Sequence, residues 1–151
     1  VRRSLFAEVG LFNPYLTTGG DAVFCWRALK ENAHHYVFVP QALVLHRHRS
    51  NLKELAQQWQ RYGRSNRYLH DLHGVDLMAK PQLSYQAYLL TRWLIREIPP
   101  LLLAILNRKL TAGVFLSRVL STPLSIYCNY NRFQGQAQAK LPTIAQEIDR
   151  L

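Results

Sequence analysis

An aspartate that directly follows two glycines is the first residue of this chain with a catalytic pattern. In the run Thr17-Thr18-Gly19-Gly20-Asp21 a polar loop precedes a helix, whose apolar positions recur every three or four residues as far as Ala33. Asp21 therefore lies near a helix N-terminus, where backbone amides can orient its carboxylate. The alternative is an N-cap, which stabilises a helix by about 1 kcal/mol, and spacing alone favours the cap.

Two further places in the sequence could bind ligands. His46 follows a β-branched and aromatic run at residues 36–45, so a strand is expected to deliver its imidazole to a metal or a phosphate. Gln58 and Arg61 project to the same side of a helix, beside the ring of Tyr62. An amide, a guanidinium and a ring together suit a sugar or a diphosphate. A loop histidine and a solvated helix face are the alternatives.

Local signals predict the elements that must position these groups. Residues 4–9 indicate a short helix closed by Gly10, and residues 36–45 a strand bent at Pro40. Asn51 and Glu54 have the spacing of a capping box, which begins a helix that continues to Gly74. Further helices are expected between prolines, at residues 82–98, 101–122 and 124–134.

Composition excludes a disordered chain and favours acidic partners. The chain has 151 residues, enough for one domain, and is 48% hydrophobic and 19% charged. Nineteen Lys and Arg against nine Asp and Glu give a net charge of +10, which suits phosphates, nucleic acid or anionic lipid. The two cysteines, Cys25 and Cys128, have no metal-binding spacing and favour a reducing compartment.

Taken in order, the residues from Arg3 to His46 resemble the acceptor-side half of family-2 glycosyltransferases with the GT-A fold. The family pattern is R-x-x-F-x-x-V-G-x-F-[DN], then an acidic pair (Glu-Asp) before a helix that carries Arg, then a V-P-x-A strand ending in His. The matching residues here are Arg3, Phe6, Val9, Gly10, Phe12, Asn13, Asp21, Arg27, Val39, Pro40, Ala42 and His46. Gln58, Arg61 and Tyr62 resemble the later Q-x-x-R-W signature, with Tyr in place of Trp.

The resemblance implies an inverting transfer of sugar from a nucleotide-sugar donor to a glycan or lipid-linked acceptor. Asp21 falls at the position of the general base. His46 falls where a ligand to a divalent cation is placed, Mg²⁺ or Mn²⁺, which neutralises charge on the departing diphosphate. The residues expected to bind substrate or diphosphate are Arg27, Gln58, Arg61 and Tyr62.

The fold class implied by this resemblance is a mostly helical α/β fragment. Residues 1–75 are expected to form the acceptor-side part of a GT-A fold, residues 76–135 a region of amphipathic helices, and residues 136–151 a polar tail. The half of the family that binds nucleotide through a D-x-D sequence has no counterpart here. We therefore expect the chain to belong to a longer protein and to be inactive alone.

Residues 81–135 combine large apolar side chains with arginines. Long arginine stems let such helices lie in a membrane interface, with Trp93 at headgroup depth. Packing of the same helices on a catalytic domain fits the pattern equally well. Charged residues interrupt the long apolar stretches, so we expect no conventional membrane span. We expect a cytoplasmic protein, either free or held peripherally on the cytoplasmic face of a membrane.

Two other interpretations of the sequence are open. The basic residues between 46 and 67 fit a non-enzymatic module that binds an anionic membrane or nucleic acid. Because Trp59 and Tyr62 lie on the apolar stripe rather than the basic face, nucleic acid is not the expected partner. Gly20 replaces an acidic residue of the family pattern, which also fits an inactive, truncated copy.

Overall fold

A computed structural model describes residues 2–16, 18–31, 35–45 and 49–144. Within these ranges the chain is mostly helical, as predicted, and contains no β-strand. The α-helices are α1 (Arg3–Val9), α2 (Gly20–Trp26), α3 (Leu52–His73), α4 (Leu83–Arg92), α5 (Ile98–Leu106) and α6 (Ala112–Gln138). A π-helical turn follows α2 at Arg27–Glu31, and another follows α4 at Trp93–Glu97.

Residues 35–45 lie where the sequence predicts a strand. The backbone turns at Pro40 and Gln41 and has no regular secondary structure on either side of the turn, and no other described segment pairs with it. Its apolar side chains face solvent: Phe38 is 82% exposed and Leu45 is 99% exposed. A strand exists only through hydrogen bonds to a neighbouring strand, so β propensity alone does not form one. The strand prediction is therefore wrong for the described chain, although the bend at Pro40 is present.

The boundaries of α3 agree with the sequence. The Asn51 Oδ1 atom accepts a hydrogen bond from the Glu54 amide at 2.8 Å, and Asn51 Nδ2 donates to Glu54 Oε1 at 2.8 Å. At the other end Gly74 adopts a φ of 67°, which favours glycine and ends the helix. Gly10 ends α1, also with a positive φ, of 84°, but with a different ψ, of −179°. Both helices end as expected because their end signals are local.

Helices α3 and α6 approach each other at a distance that only glycine allows. A Cβ on Gly63 would lie less than 3.0 Å from the Arg132 carbonyl oxygen. A Cβ on Gly135 would lie less than 3.0 Å from the Gln60 carbonyl oxygen. Such proximity brings Cα–H groups against carbonyls, a weak attraction that recurs at close helix pairs. Beside it, Gln60 Nε2 donates to Asn131 Oδ1 at 3.0 Å.

Contacts at the two ends of this pair show that α3 and α6 run in the same direction. The Tyr127 hydroxyl donates to the Leu52 carbonyl, at 3.2 Å, where α3 begins. Nine residues later in the chain, the buried Gln136 side chain binds Met78, beyond the end of α3: its Oε1 accepts from the Met78 amide at 3.0 Å, and its Nε2 donates to the Met78 carbonyl at 2.8 Å. The two regions predicted from the sequence, residues 1–75 and residues 76–135, therefore meet at the interface between α3 and α6.

Pro123 lies inside α6, where the sequence predicts a break between two helices. Proline has no N–H to offer the carbonyl of Val119, four residues earlier. The Trp93 indole Nε1 donates to that carbonyl at 2.9 Å and replaces the missing bond. The predicted break at Pro123 is therefore wrong. The interruption lies earlier, at residues 107–111, where Arg108 has a φ of 54°.

The helical chain from α4 into α5 is also continuous where the sequence predicts an interruption. Pro99 and Pro100 fall in the first turn of α5, which begins at Ile98. Amides in a first turn need no intrahelical acceptor, so proline fits there. The π-helical turn Trp93–Glu97 directly precedes this point. We refer to α4, this turn and α5 together as the rod.

One side of the rod packs on α6, and the other side is exposed. Trp93 reaches Val119, and Glu97 Oε2 accepts from the Thr122 hydroxyl at 2.9 Å. On the other side of the rod, Leu94 and Leu103 face solvent. None of the helices in the described part of the chain has the length and apolar character needed to cross a bilayer, as expected.

Substitutions of the two contact glycines test the α3–α6 interface. We expect Gly63→Ala and Gly135→Ala each to lower the free energy of unfolding by about 1–3 kcal/mol, because the added methyl meets a backbone carbonyl. Gly113→Ala in the first turn of α6 is the matched control, since its Cβ meets nothing within 4 Å. Denaturant unfolding gives the three values. Equal stability of all three variants would contradict the close approach.

A double-mutant cycle tests the role of Trp93. We expect Trp93→Phe to lower the free energy of unfolding by about 1–3 kcal/mol, because the Val119 carbonyl loses its donor. In a Pro123→Ala background the new amide can bond to Val119, so the part of the loss due to the hydrogen bond disappears. Chemical unfolding of the four proteins measures this coupling. The same loss in both backgrounds would show that the indole acts only by packing.

Candidate functional site

Asp21 lies at the exposed start of α2 and is not its N-cap. The cap position belongs to Gly19, in the left-handed conformation with a φ of 79°, and no side chain caps the helix. Asp21 occupies the first turn and its side chain is exposed. The N-terminal end of a helix favours a negative charge, so the ionised carboxylate is suited to this position. It is accessible to a substrate hydroxyl.

The loop that precedes Asp21 docks on α3. The Thr18 hydroxyl donates to the carbonyl of Arg61 at 3.3 Å and forms a short hydrogen bond with the hydroxyl of Ser65. Ser65 is buried, and Gly19 packs above it. The structure therefore joins two predicted site elements: the residues before Asp21 lie on the turn of α3 that contains Arg61.

The far end of α2 is also attached to α3. The ring of Trp26 meets the ring of His73 edge to face, with centroids 6.1 Å apart. His73 is the last residue of α3. Because α2 is held at both ends against the second half of α3, the start of α2 has a defined position relative to that helix.

Gln58 and Tyr62 form a direct pair on α3. Gln58 Nε2 donates to the Tyr62 hydroxyl oxygen at 2.7 Å, and both side chains are half-buried. Trp59 meets Tyr62 edge to face, with centroids 5.6 Å apart. Arg61, also half-buried, lies on the turn that receives the Thr18 loop. The predicted amide, guanidinium and ring therefore lie on adjoining turns, with the amide linked to the ring.

The Trp59 indole continues this network into the helix interface. Burial raises the pKa of the Cys128 thiol, and a hydrogen bond with the Trp59 side chain lowers it by a smaller amount. Cys128 is buried on α6, whereas Cys25 is exposed. A raised pKa keeps Cys128 protonated and poorly nucleophilic. It has the character of a packing residue, so the aromatic part of the site is fixed from behind by α6.

Arg27 occupies a place that sequence reasoning did not foresee. Its side chain is buried, and Nη2 donates to the Leu11 carbonyl in a short hydrogen bond. A Cβ on Gly10 would lie 3.5 Å from Arg27 Nη1, so the guanidinium also lies beneath the glycine that ends α1. This contact makes Arg27 a positioning residue for the loop after α1. Its expected binding of substrate stays a prediction.

Much of the glycosyltransferase-like pattern builds a small core. The rings of Phe6 and Phe12 pack on Phe24 with centroids 4.8 and 5.1 Å away. Asn13 is buried, and its Oδ1 accepts from the Tyr15 amide at 2.9 Å, which shapes the turn before the Thr18 loop. These residues therefore support the loop and α2.

The predicted metal ligand, His46, lies outside the described residues. Within the described ranges no three His, Cys, Asp or Glu side chains come together as a metal site. The convergence of Asp21 and His46 on one cleft stays a prediction.

Thr18 and Ser65 are the site residues that sequence reasoning missed. Serine and threonine hydroxyls often bond to nearby backbone, and a buried serine inside a helix needs such a partner. The sequence signal for these missed residues is therefore Ser65, which lies four residues after Arg61 on α3. Its partner, 47 residues earlier in the chain, leaves no local trace in the sequence.

Comparison with known proteins provides no relative for this arrangement. No family model, curated protein or solved structure matches the chain. Arguments about function therefore depend on the residues themselves and on their geometry.

Proposed function

We propose that this chain supplies the acceptor-side half of an inverting family-2 glycosyltransferase of the GT-A fold, working in the cytoplasm. The observation that carries the proposal is the ordered match from Arg3 to His46, together with the exposed position of Asp21 at the start of α2. A nucleotide sugar is the donor, and a glycan or a lipid-linked sugar is the acceptor.

Asp21 acts as the general base in this proposal. The acceptor hydroxyl oxygen attacks the anomeric carbon of the donor sugar, and Asp21 takes the hydroxyl proton as the new bond forms. The bond from the anomeric carbon to the diphosphate breaks on the opposite side, and its electron pair leaves with the nucleoside diphosphate. The single displacement inverts the anomeric centre. Proton transfer of this kind contributes about 10²- to 10⁴-fold in rate.

The face of α3 beside the Thr18 loop would hold the acceptor or the diphosphate. Arg61 supplies a positive charge that binds phosphate through two parallel hydrogen bonds. The Gln58–Tyr62 pair supplies an amide and an aromatic ring, which suit the polar edge and the apolar face of a sugar. A divalent cation, Mg²⁺ or Mn²⁺, would neutralise charge on the diphosphate when bound.

The unpaired segment 35–45 also supports the proposal. No described segment pairs with it and its apolar side chains are exposed, as in a strand that lacks its sheet. A groove of about 800 Å³ separates this segment from α1 and α2, with Leu5, Phe24 and Val37 among its lining residues. In the GT-A fold the nucleotide-binding half contains strands, and we propose that such a strand pairs with residues 35–45.

Asp21→Asn in the complete polypeptide tests the role of the base. We expect the turnover number to fall by about 10²- to 10⁴-fold with donor binding unchanged, because the amide cannot accept the proton. Asp76→Asn, which changes an exposed carboxylate on the segment after α3, should leave turnover unchanged. Transfer of labelled sugar and equilibrium binding of the donor are the two measurements.

Two results would contradict the proposal. Unchanged turnover in Asp21→Asn would remove Asp21 from the role of base. A coding sequence before Val1 that lacks a nucleotide-binding half with a D-x-D sequence would remove the glycosyltransferase assignment itself. An inactive copy is distinguished by donor binding without turnover in the unmodified protein.

A further inference from the structure

The rod is more apolar on its outer side than on the side that packs on α6. Toward α6 it presents the indole of Trp93 and the carboxylate of Glu97. On the outer side Leu94 and Ile95 are 60% and 65% exposed, and Leu103 is 61% exposed. Helices of soluble domains normally place such residues inward. Several exposed apolar side chains on one helical segment are typical of a contact with a partner or a membrane.

Exposed basic residues occur along this part of the chain and outnumber the acidic residues there. Between residues 83 and 122 the basic residues are Arg92, Arg96, Arg108, Lys109 and Arg118, and the acidic residue is Glu97. Glu97 does not oppose them freely, because its Oε1 accepts from Arg92 at 3.1 Å and its Oε2 accepts from Thr122. The surface therefore presents positive charge among leucines.

A groove between α5 and α6 brings two of these cations together. Pro100, Leu101 and Ala104 are among the residues of α5 that line it, and Lys109 and Arg118 contribute basic side chains, which outnumber the carboxylate of Glu97 in the same lining. Its volume is about 490 Å³. An apolar wall with a lysine and an arginine suits a phosphate group that carries an acyl chain, since arginine grips phosphate through two hydrogen bonds.

We propose that the outer face of residues 83–120 lies on the surface of an anionic phospholipid bilayer, with a headgroup phosphate between Lys109 and Arg118. The outer leucines enter the interface, and the arginine stems let their charged ends reach the headgroups. Tyr85 and Tyr88, stacked with centroids 6.2 Å apart and exposed, suit headgroup depth at one end of the rod.

The positive charge of this face favours an anionic bilayer, rather than a second copy of this chain, as its partner. Two copies joined through this face would place the same basic residues against each other, which opposes association. A negatively charged leaflet meets the same residues favourably, and each cation near it strengthens binding by about five-fold. The inference goes beyond the proposed transferase activity, and its test requires no turnover.

Flotation of the 151-residue chain with lipid vesicles tests the apolar part of the inference. We expect binding to mixed phosphatidylserine and phosphatidylcholine vesicles that weakens as salt rises, and little binding to phosphatidylcholine alone. The double variant Leu94→Glu/Leu103→Glu should bind at least about ten-fold more weakly, because its acidic side chains enter the interface. Leu52→Glu on α3, at a leucine that is 57% exposed, is the matched control and should bind as the unmodified chain does.

A second pair of variants tests the proposed phosphate site. Lys109→Gln/Arg118→Gln should lower vesicle binding by about 25-fold, at about five-fold for each cation. Lys53→Gln/Arg64→Gln removes the same charge from exposed positions on α3 and should have a much smaller effect. Circular dichroism spectra that match the unmodified chain ensure that all four variants are folded.

Three results would overturn the inference. Equal losses in the two charge variants would mean that net charge alone, rather than this face, attracts lipid. Equal binding to neutral and anionic vesicles would remove the role of the cations. Self-association in sedimentation that Leu94→Glu/Leu103→Glu abolishes, without vesicle binding, would assign the face to a second copy of the chain.

Discussion

The backbone contact between α3 and α6 is the constraint on which the described structure depends. Few hydrophobic residues are buried, and of those in the described residues only Cys128 comes from the helices after α3. The C-terminal helices therefore do not gather around a large apolar core. The close approach at Gly63 and Gly135, with the polar bonds of Gln60 and Gln136, fixes α6 on α3 instead.

Because α3 is fixed on one side by α6, its other side can serve as a platform. The Thr18 loop lies there through Arg61 and Ser65, and α2 ends there through Trp26. The position of Asp21 follows from these contacts rather than from any contact of its own carboxylate. An exposed carboxylate in the first turn of a supported helix combines access to a substrate with a defined position, as the proposed general base requires.

The sequence predicts the parts of this structure that are set by neighbouring residues. The ends of α3 follow from Asn51 and Gly74, because caps act within one turn of a helix. The helix break predicted at Pro123 is absent because Trp93, 30 residues away in the chain, replaces the lost hydrogen bond. The strand predicted at residues 36–45 is absent because a strand forms only beside a partner strand, which no local pattern in the sequence reveals.

The candidate site also contains features that the sequence predicts and features that it does not. The exposed start of α2 at Asp21 was predictable, since a double glycine before a helical pattern is a local signal. The buried position of Arg27 and the bond between Thr18 and Ser65 were not, because both depend on contacts between separate elements. The resemblance to glycosyltransferases pointed to residues that pack as well as residues that could react, and sequence alone does not separate the two.

Amide hydrogen exchange in the Gly135→Ala variant tests most directly whether the helix pair supports the site. The relevant amides are those of α3 near Ser65 and the Val23 amide of α2, which is bonded to the Gly19 carbonyl at 3.0 Å. If α3 is the platform for α2, exchange at both places will be faster than in the unmodified chain. Faster exchange near Ser65 with an unchanged rate at Val23 would contradict the account, because α2 and its aspartate would then be supported independently of the helix pair.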